Sequence, residues 1–246
     1  MAELVAAGPV LVQFFDFAQL NSVRALPYVR EWHRRYAPLG LTVLGIHSPR
    51  FRFTAARNAL EFGLERLELP YAVAQDSSYA IWHDYGVKGW PSLFLWGGPG
   101  TLRYFHFGEG EYRTTEEAIQ EELRERDATV ELPAPMEPLR ESDAPGALVA
   151  PPSEEVFPGG SPQEPWRAGE AAELEVVYAA GGAFAALDGA GELGVAIDGE
   201  QGATLDIAGP GLYELTSHPR HEEHRLALSP SPALEIYAVS FAAGLP

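Results

Sequence analysis

The fold is decided by residues 10–32, which read VLVQFFDFAQLNSVRALPYVREW. The apolar run Val10–Phe15 is typical of a buried strand. Asn21-Ser22 then offers a helix N-cap. The apolar residues that follow recur at helical spacing: Val23, Leu26, Val29 and Trp32. Pro27 lies inside this helix and should kink it. The stretch therefore predicts a buried strand followed by a kinked helix.

The rest of the first half alternates strand and helix signals. Further strands are predicted at residues 41–46, 71–74, 92–96 and 102–107, with 71–74 at an edge and the last two as a β-hairpin. Thr54, and either Asp76 or Ser77, are candidate caps of two intervening helices. The order βαβαβαββα predicts a mixed sheet flanked by helices.

A proline-rich stretch separates the two halves, with nine prolines in residues 132–165. Proline lacks an amide donor and fixes φ, so this stretch cannot form a helix or a central strand. It predicts an extended connector that packs on both domains. The predicted boundaries are 1–128 for the α/β domain, 129–165 for the linker and 166–246 for the second domain.

The second half contains short β-prone segments punctuated by Gly, Pro and Asp. They lie at residues 173–178, 183–187, 194–197, 203–207, 211–215, 225–228 and 234–241. Regular short strands with turn signals predict an all-β domain, a β-sandwich or jelly roll.

Composition excludes several functions. The 246 residues contain no cysteine, which excludes thiol chemistry. They carry a net charge of −18, which argues against nucleic-acid partners. Residues 126–246 alone contain 5 basic and 20 acidic side chains. Because no leader or membrane-spanning pattern is visible, we expect a cytoplasmic protein with no membrane partner.

Several motifs resemble the thioredoxin superfamily. Pro27 follows Ser22 by five residues, as the helix-kinking proline of that family follows its second motif cysteine. The segment Tyr85-Gly86-Val87-Lys88-Gly89-Trp90-Pro91-Ser92 looks like the family segment with the active-site cis-proline. The resemblance implies a thioredoxin-like fold with a cis Trp90-Pro91 bond.

A closer resemblance is to the C-terminal, TlpA-like region of DipZ-type proteins. The shared stretches are LPYVREWH at 26–33, GIHSP at 45–49 and FHFGEGEY at 105–112. In those proteins a jelly-roll module follows the thioredoxin-like one. The segments GLYEL at 211–215 and IYAVSF at 236–241 look like its final strands.

The departure from the family lies in the redox motif. Its Cys-x-x-Cys falls on Gln19-Leu20-Asn21-Ser22, and neither an amide nor an alcohol can exchange disulfides. We therefore expect a redox-inactive protein with no catalytic residue and no cofactor.

Without the redox function, the function that this interpretation predicts is binding at a surface. Phe17, Trp90 and Pro91, beside the degenerate motif, would line a groove for an extended peptide or a protein partner. The alternative is that Gln19 and Ser22 only cap the helix while the aromatic residues fill space around it. The oligomeric state is left open.

Two other hypotheses stay open at this stage. The first is an enzyme with non-thiol chemistry that uses His47 or the cluster His218, His221 and His224. For that cluster, a solvated hairpin loop is favoured over a metal site, because extended residues at this spacing alternate sides. The second is carbohydrate or lipid binding by the C-terminal domain, with Trp166 as a stacking platform for a sugar or as an anchor of the linker.

Overall fold

The computed structural model describes residues 2–98, 100–169 and 173–246, which form two compact units. The first unit contains the residues up to Asp16, Asn21–Pro49 and Leu67–Pro145. The second unit contains Phe17–Leu20, Arg50–Arg66 and the residues from Gly146 onwards.

The first part of the chain alternates helices and strands, as the sequence predicts. In chain order the elements are α1 (Ala2–Ala7), β1 (Val10–Phe15), α2 (Leu20–Tyr36), β2 (Thr42–His47), α3 (Arg57–Arg66), β3 (Ala72–Gln75), α4 (Ala80–Tyr85), β4 (Ser92–Gly97), β5 (Thr101–Phe107) and α5 (Tyr112–Arg126). Pro27 lies inside α2. None of the helices in the described part of the chain is long and apolar enough to cross a membrane.

The five strands form one mixed sheet in the order β3-β2-β1-β4-β5. β1 pairs in parallel with β2, and β2 with β3, while β4 and β5 join in antiparallel orientation. This is the thioredoxin-like topology, and the predicted mixed sheet is confirmed. β3 lies at one edge, as expected, and β5 lies at the other.

Apolar residues on both faces of the sheet form the core of the first unit. On one face Trp32 of α2, Leu95 of β4 and Ile119 of α5 are fully buried. On the other face Phe14 of β1 packs against Phe94 of β4, with ring centroids 5.7 Å apart. Burial on both faces explains why β1 is apolar at nearly every position.

Two predicted helix caps have different outcomes. Tyr79 is the N-cap residue of α4 and makes no side-chain cap bond. The buried Asp76 carboxylate, three residues earlier, accepts the amides of Ile81 (3.1 Å) and Trp82 (2.9 Å), so it caps the first turn of α4 from outside the predicted N-cap position. Thr54 lies inside a three-residue 3₁₀ helix, and its hydroxyl donates to the Phe51 carbonyl at 3.0 Å. The prediction that Thr54 caps a helix is wrong, since α3 begins at Arg57.

The second unit contains a six-stranded antiparallel sheet. Its strands are β6 (Trp166–Arg167), β7 (Leu174–Asp188), β8 (Gly191–Ile197), β9 (Glu200–Ile207), β10 (Gly211–Pro230) and β11 (Glu235–Ala242). They lie in the order β6-β11-β7-β10-β8-β9. The sheet is consistent with a β-sandwich domain, and the more specific jelly-roll topology stays a prediction.

Some predicted short strands are joined in the structure. Residues 173–178 and 183–187 lie along β7, apart from Glu173, and residues 211–215 and 225–228 both belong to β10. The predicted breaks between them are wrong because β7 and β10 pair along most of their length. The register of this pairing shifts at two places in β10, between Glu214 and Thr216 and between Ser217 and Glu222. Such shifts accommodate extra residues in one strand of a pair.

The proline-rich stretch packs on the residues around it. In the first unit the hydroxyl of Tyr28 donates to Asp143 and accepts the amide of Leu139, both at 2.7 Å. In the second unit Val156 bridges to Val239 of β11. The stretch divides between the units at Pro145. The domain boundaries drawn from the sequence stay a prediction.

Candidate functional site

The degenerate motif Gln19–Ser22 lies at the start of α2. The helix begins at Leu20, so Asn21 and Ser22 belong to its first turn, and the prediction that they cap it is wrong. The Ser22 hydroxyl instead accepts the amide of Asp16 at 3.2 Å. Ser22 therefore helps to close the connection from β1 into the helix.

The motif side chains are withdrawn from solvent. Gln19 is 5 % exposed, Leu20 is buried and Ser22 has no exposed surface, while Asn21 is half-buried. Disulfide exchange needs a thiolate that attacks sulfur, and the chain contains no cysteine. These positions therefore cannot perform the exchange.

Phe17, predicted to line a groove, is fully buried within the second unit. Its ring meets that of Phe53 edge-on at 6.0 Å, and Phe53 lies 4.7 Å from the ring of Tyr237 on β11. Helix α3 approaches so closely that a Cβ on Gly63 would lie 2.6 Å from the Phe17 ring. The residue is thus part of an apolar core.

The Trp90-Pro91 bond is cis, as the resemblance implies. Trp90 is half-buried, its indole nitrogen donates to the Ser48 carbonyl at 2.7 Å, and its ring lies 4.4 Å from that of Trp82. Pro91 is buried, and its carbonyl accepts the Gly108 amide at 2.8 Å. Two hydrogen bonds therefore hold this turn in the first unit.

The predicted groove draws its residues from both units. Phe17, Gln19 and Leu20 belong to the second unit. Asn21, Ser22, Trp90 and Pro91 belong to the first. A groove formed by these residues stays a prediction.

His47, considered as a general base, lies at the end of β2 without exposed surface. Its Nε2 lies 3.8 Å from the equally buried Asp16 carboxylate. Burial lowers the pKa of His47, and the charge of Asp16 opposes that effect. A substrate could reach this imidazole only after the surrounding packing opened.

The histidine cluster lies inside β10, so the predicted solvated loop is wrong. His218 and His224 stack with ring centroids 3.9 Å apart. Their separation of six residues in the sequence does not predict this contact. They meet because β10 shifts register between them. His221 is joined elsewhere, since its amide donates to the Leu245 carbonyl. Within residues 2–98, 100–169 and 173–246, no three His, Asp or Glu side chains are arranged to hold a metal ion.

Trp166 of β6, considered as a sugar platform, is half-buried and packs against the apolar core of the second unit. The contact fits the alternative in which Trp166 anchors the chain.

Sequence reasoning missed an exposed aromatic surface on β5. Phe105 is 54 % exposed and Phe107 is 38 % exposed, and their ring centroids lie 5.4 Å apart. Both rest on the buried Phe94 of β4, at 6.4 and 5.8 Å. The alternation Phe105-His106-Phe107 at the end of the hairpin could have revealed it, because residues two apart share one face of a strand.

No model of a known protein family matches the chain. The chain is homologous to protein DipZ of Mycobacterium bovis and of Mycobacterium tuberculosis, with 27% identity over 94% of its length. It spans 38% of the length of those relatives.

Solved structures resemble about half of the chain. One is a thiol-disulfide isomerase from Corynebacterium glutamicum, with 21% identity and a TM-score of 0.45, covering 50% of this chain and 85% of that one. Another is a thioredoxin-like protein in the oxidised form, with 21% identity and a TM-score of 0.47, covering 51% and 84%.

Proposed function

We propose that this chain is a redox-inactive thioredoxin-fold protein that binds an extended polypeptide along β5. The observation that carries the proposal is the pair of exposed rings, Phe105 and Phe107, on a strand at the edge of the sheet. The absence of cysteine and the burial of Gln19 and Ser22 support a role without thiol chemistry.

The edge of β5 lacks the usual protection against strand pairing. In the part of the chain that the structure describes, no strand pairs with its outer side. Edge strands are normally guarded by charges, prolines or short length. β5 is seven residues long, and its one charged side chain, Arg103, is held by Glu122 and Glu125 of α5.

Binding of an added strand depends on backbone hydrogen bonds and on side-chain contacts, and β5 offers both. The free backbone edge supplies hydrogen bonds that do not depend on sequence, and the two rings favour apolar side chains at alternate positions. Gly108 follows Phe107 directly and donates to the Pro91 carbonyl, so the aromatic surface ends beside the cis-proline turn. The expected ligand is an extended peptide with two apolar residues spaced two apart.

A displayed library of random peptides tests this proposal. We expect selection on the full chain to enrich peptides with alternating apolar residues, and their affinity to fall at least about tenfold for Phe105→Lys. The matched control is Leu4→Lys, since Leu4 is an exposed apolar residue of α1. Enriched peptides that bind Phe105→Lys as tightly as the native chain would contradict the proposed surface, as would a library that yields no binder.

Insulin reduction in the presence of dithiothreitol tests the other half of the proposal. The native chain should give no turnover above the blank, because it has no sulfur nucleophile. Turnover above the blank would contradict the inactive assignment without bearing on the peptide surface.

A further inference from the structure

Two imidazoles stack face to face in the middle of β10. The rings of His218 and His224 lie 3.9 Å apart and 19° from parallel. Thr216 and Ser217 pair with Ala183 and Gly182 of β7, and pairing resumes at Glu222 after a shift of register. The pair, called here the histidine stack, therefore spans the irregular part of the β7–β10 ladder.

Each ring of the stack has a fixed polar partner. His218 Nε2 lies 2.8 Å from the hydroxyl of Tyr178 on β7, and Tyr178 is buried against Phe241 of β11. His224 Nδ1 lies 2.7 Å from a carboxylate oxygen of Asp198. One ring thus meets a neutral phenol, and the other meets an anion.

Asp198 is held in position by the turn between β8 and β9. Its backbone has a φ of 54°, an uncommon value for a residue other than glycine. Its amide donates to the Arg225 carbonyl, and its Oδ1 accepts the Arg225 amide, both at 2.8 Å. The carboxylate that faces His224 is therefore anchored to β10 itself.

The charges around the stack favour one proton over two. Glu222 of β10 adds a second carboxylate, 3.6 Å from His224 Nε2. β7 contributes the Tyr178 hydroxyl, and β11 contributes the apolar ring of Phe241. Burial lowers the pKa of His218, and the charge of His224 lowers it further, against the opposing influence of Glu222 and Asp198. A second proton would place like charges in ring contact.

We propose that the histidine stack is a proton-sensitive latch, which holds β10 against β7 while His218 is neutral and opens when His218, stacked on His224, takes up a proton. An unconstrained histidine takes up its proton below a pH of about 6.5. Because the closed form resists the proton on His218 and the open form accepts it, acid shifts the equilibrium towards the open form. The latch is closed at neutral pH.

Amide hydrogen exchange of the full chain tests the latch. Between about pH 7.5 and about pH 5.5, one histidine that cannot be protonated in the closed form lowers protection by up to about tenfold. We expect this loss at residues 178–182 and 216–224, beyond the intrinsic change of exchange chemistry. In His218→Gln the loss should disappear, whereas the control His106→Gln, on β5 of the first unit, should keep it.

A titration of the native chain by NMR keeps the test independent of whether the variant folds. We expect His218 to titrate below the range of a free histidine. Protection that stays constant with pH in the native chain, or the same loss in a folded His218→Gln, would overturn the latch. Stoichiometric binding of zinc by the native chain, lost in both His218→Gln and His224→Gln, would overturn it as well, since the pair would then be a metal site.

Discussion

The segment from Phe17 to Ser22 and strand β5 both lie in the thioredoxin-like part of the sequence, yet their exposure is opposite. Phe17 and Ser22 have no exposed surface, and Gln19 has almost none. Phe105 and Phe107 on β5 are the exposed pair. In the first region an aromatic side chain fills a core, and in the second region aromatic side chains face the solvent.

The contrast fits a chain that contains no cysteine. A reactive thiol must be accessible to its substrate, so a motif that carries one cannot be packed shut. With Gln19 and Ser22 in those positions, the segment is free to be buried, and Phe17 contributes to a core with Phe53. The proposed peptide surface on β5 does not use these buried side chains.

Truncation of the two kinds of phenylalanine tests this contrast with the largest expected effect. Phe17→Ala should lower the free energy of unfolding by about 3–5 kcal/mol, because it leaves a cavity beside Phe53 and Gly63. Its matched control, Phe105→Ala, should cost less than about 1 kcal/mol, since the ring is largely exposed. Urea unfolding measures both values. Equal costs for the two variants would remove the distinction between the regions.

Removal of the Asp76 carboxylate, which caps α4, should lower the free energy of unfolding by less than Phe17→Ala. Asp76→Ala removes the acceptor of the Ile81 and Trp82 amides and should cost about 1–2 kcal/mol. Tyr85 of α4 packs on Phe94 with ring centroids 5.1 Å apart, so this variant should also weaken peptide binding at β5. Ser77→Ala, at the exposed neighbour, is the control and should change urea unfolding by less than about 0.5 kcal/mol. An Asp76→Ala variant with the same free energy of unfolding as the native chain would show that these two hydrogen bonds do not stabilise the fold.

The buried His47 predicts a gradual loss of stability in acid. Its pKa is lowered by burial in the folded chain, while the unfolded chain binds the proton at a pH of about 6.5. Stability is therefore complete above that pH and falls below it, by at most about 1.4 kcal/mol per pH unit for one proton. The free energy of unfolding, measured by urea unfolding at several pH values across this range, should change less with pH in His47→Gln than in the native chain. An unchanged slope in the variant would exclude His47 as the source.

Much of the first unit follows from local pattern. The run Val10–Phe15 is apolar because β1 is buried on both faces, and Asp76 caps α4 through bonds that span only a few residues. Such features depend on short-range geometry, which a sequence displays directly.

Features that depend on distant partners were harder to predict. The exposure of Phe105 and Phe107 depends on the edge position of β5, and the histidine stack depends on a register shift between Ser217 and Glu222. The length of β7 and β10 depends on their mutual pairing, which overrides the glycines and the proline between the predicted segments. Spacing along the chain shows that Phe105 and Phe107 share one face of a strand, but it does not show that this face is exposed. It encodes neither the histidine stack nor the length of β7 and β10.

The absence of native cysteine makes thiol labelling the most direct test of the closed motif region and the open strand. Single variants Gln19→Cys and Phe105→Cys are labelled with an excess of maleimide, under native conditions and in denaturant. We expect the native rate for Gln19→Cys to be at least about tenfold lower than for Phe105→Cys, because labelling must wait for local opening. The rates should become equal in denaturant. A native rate for Gln19→Cys that matches or exceeds that of Phe105→Cys would contradict the account.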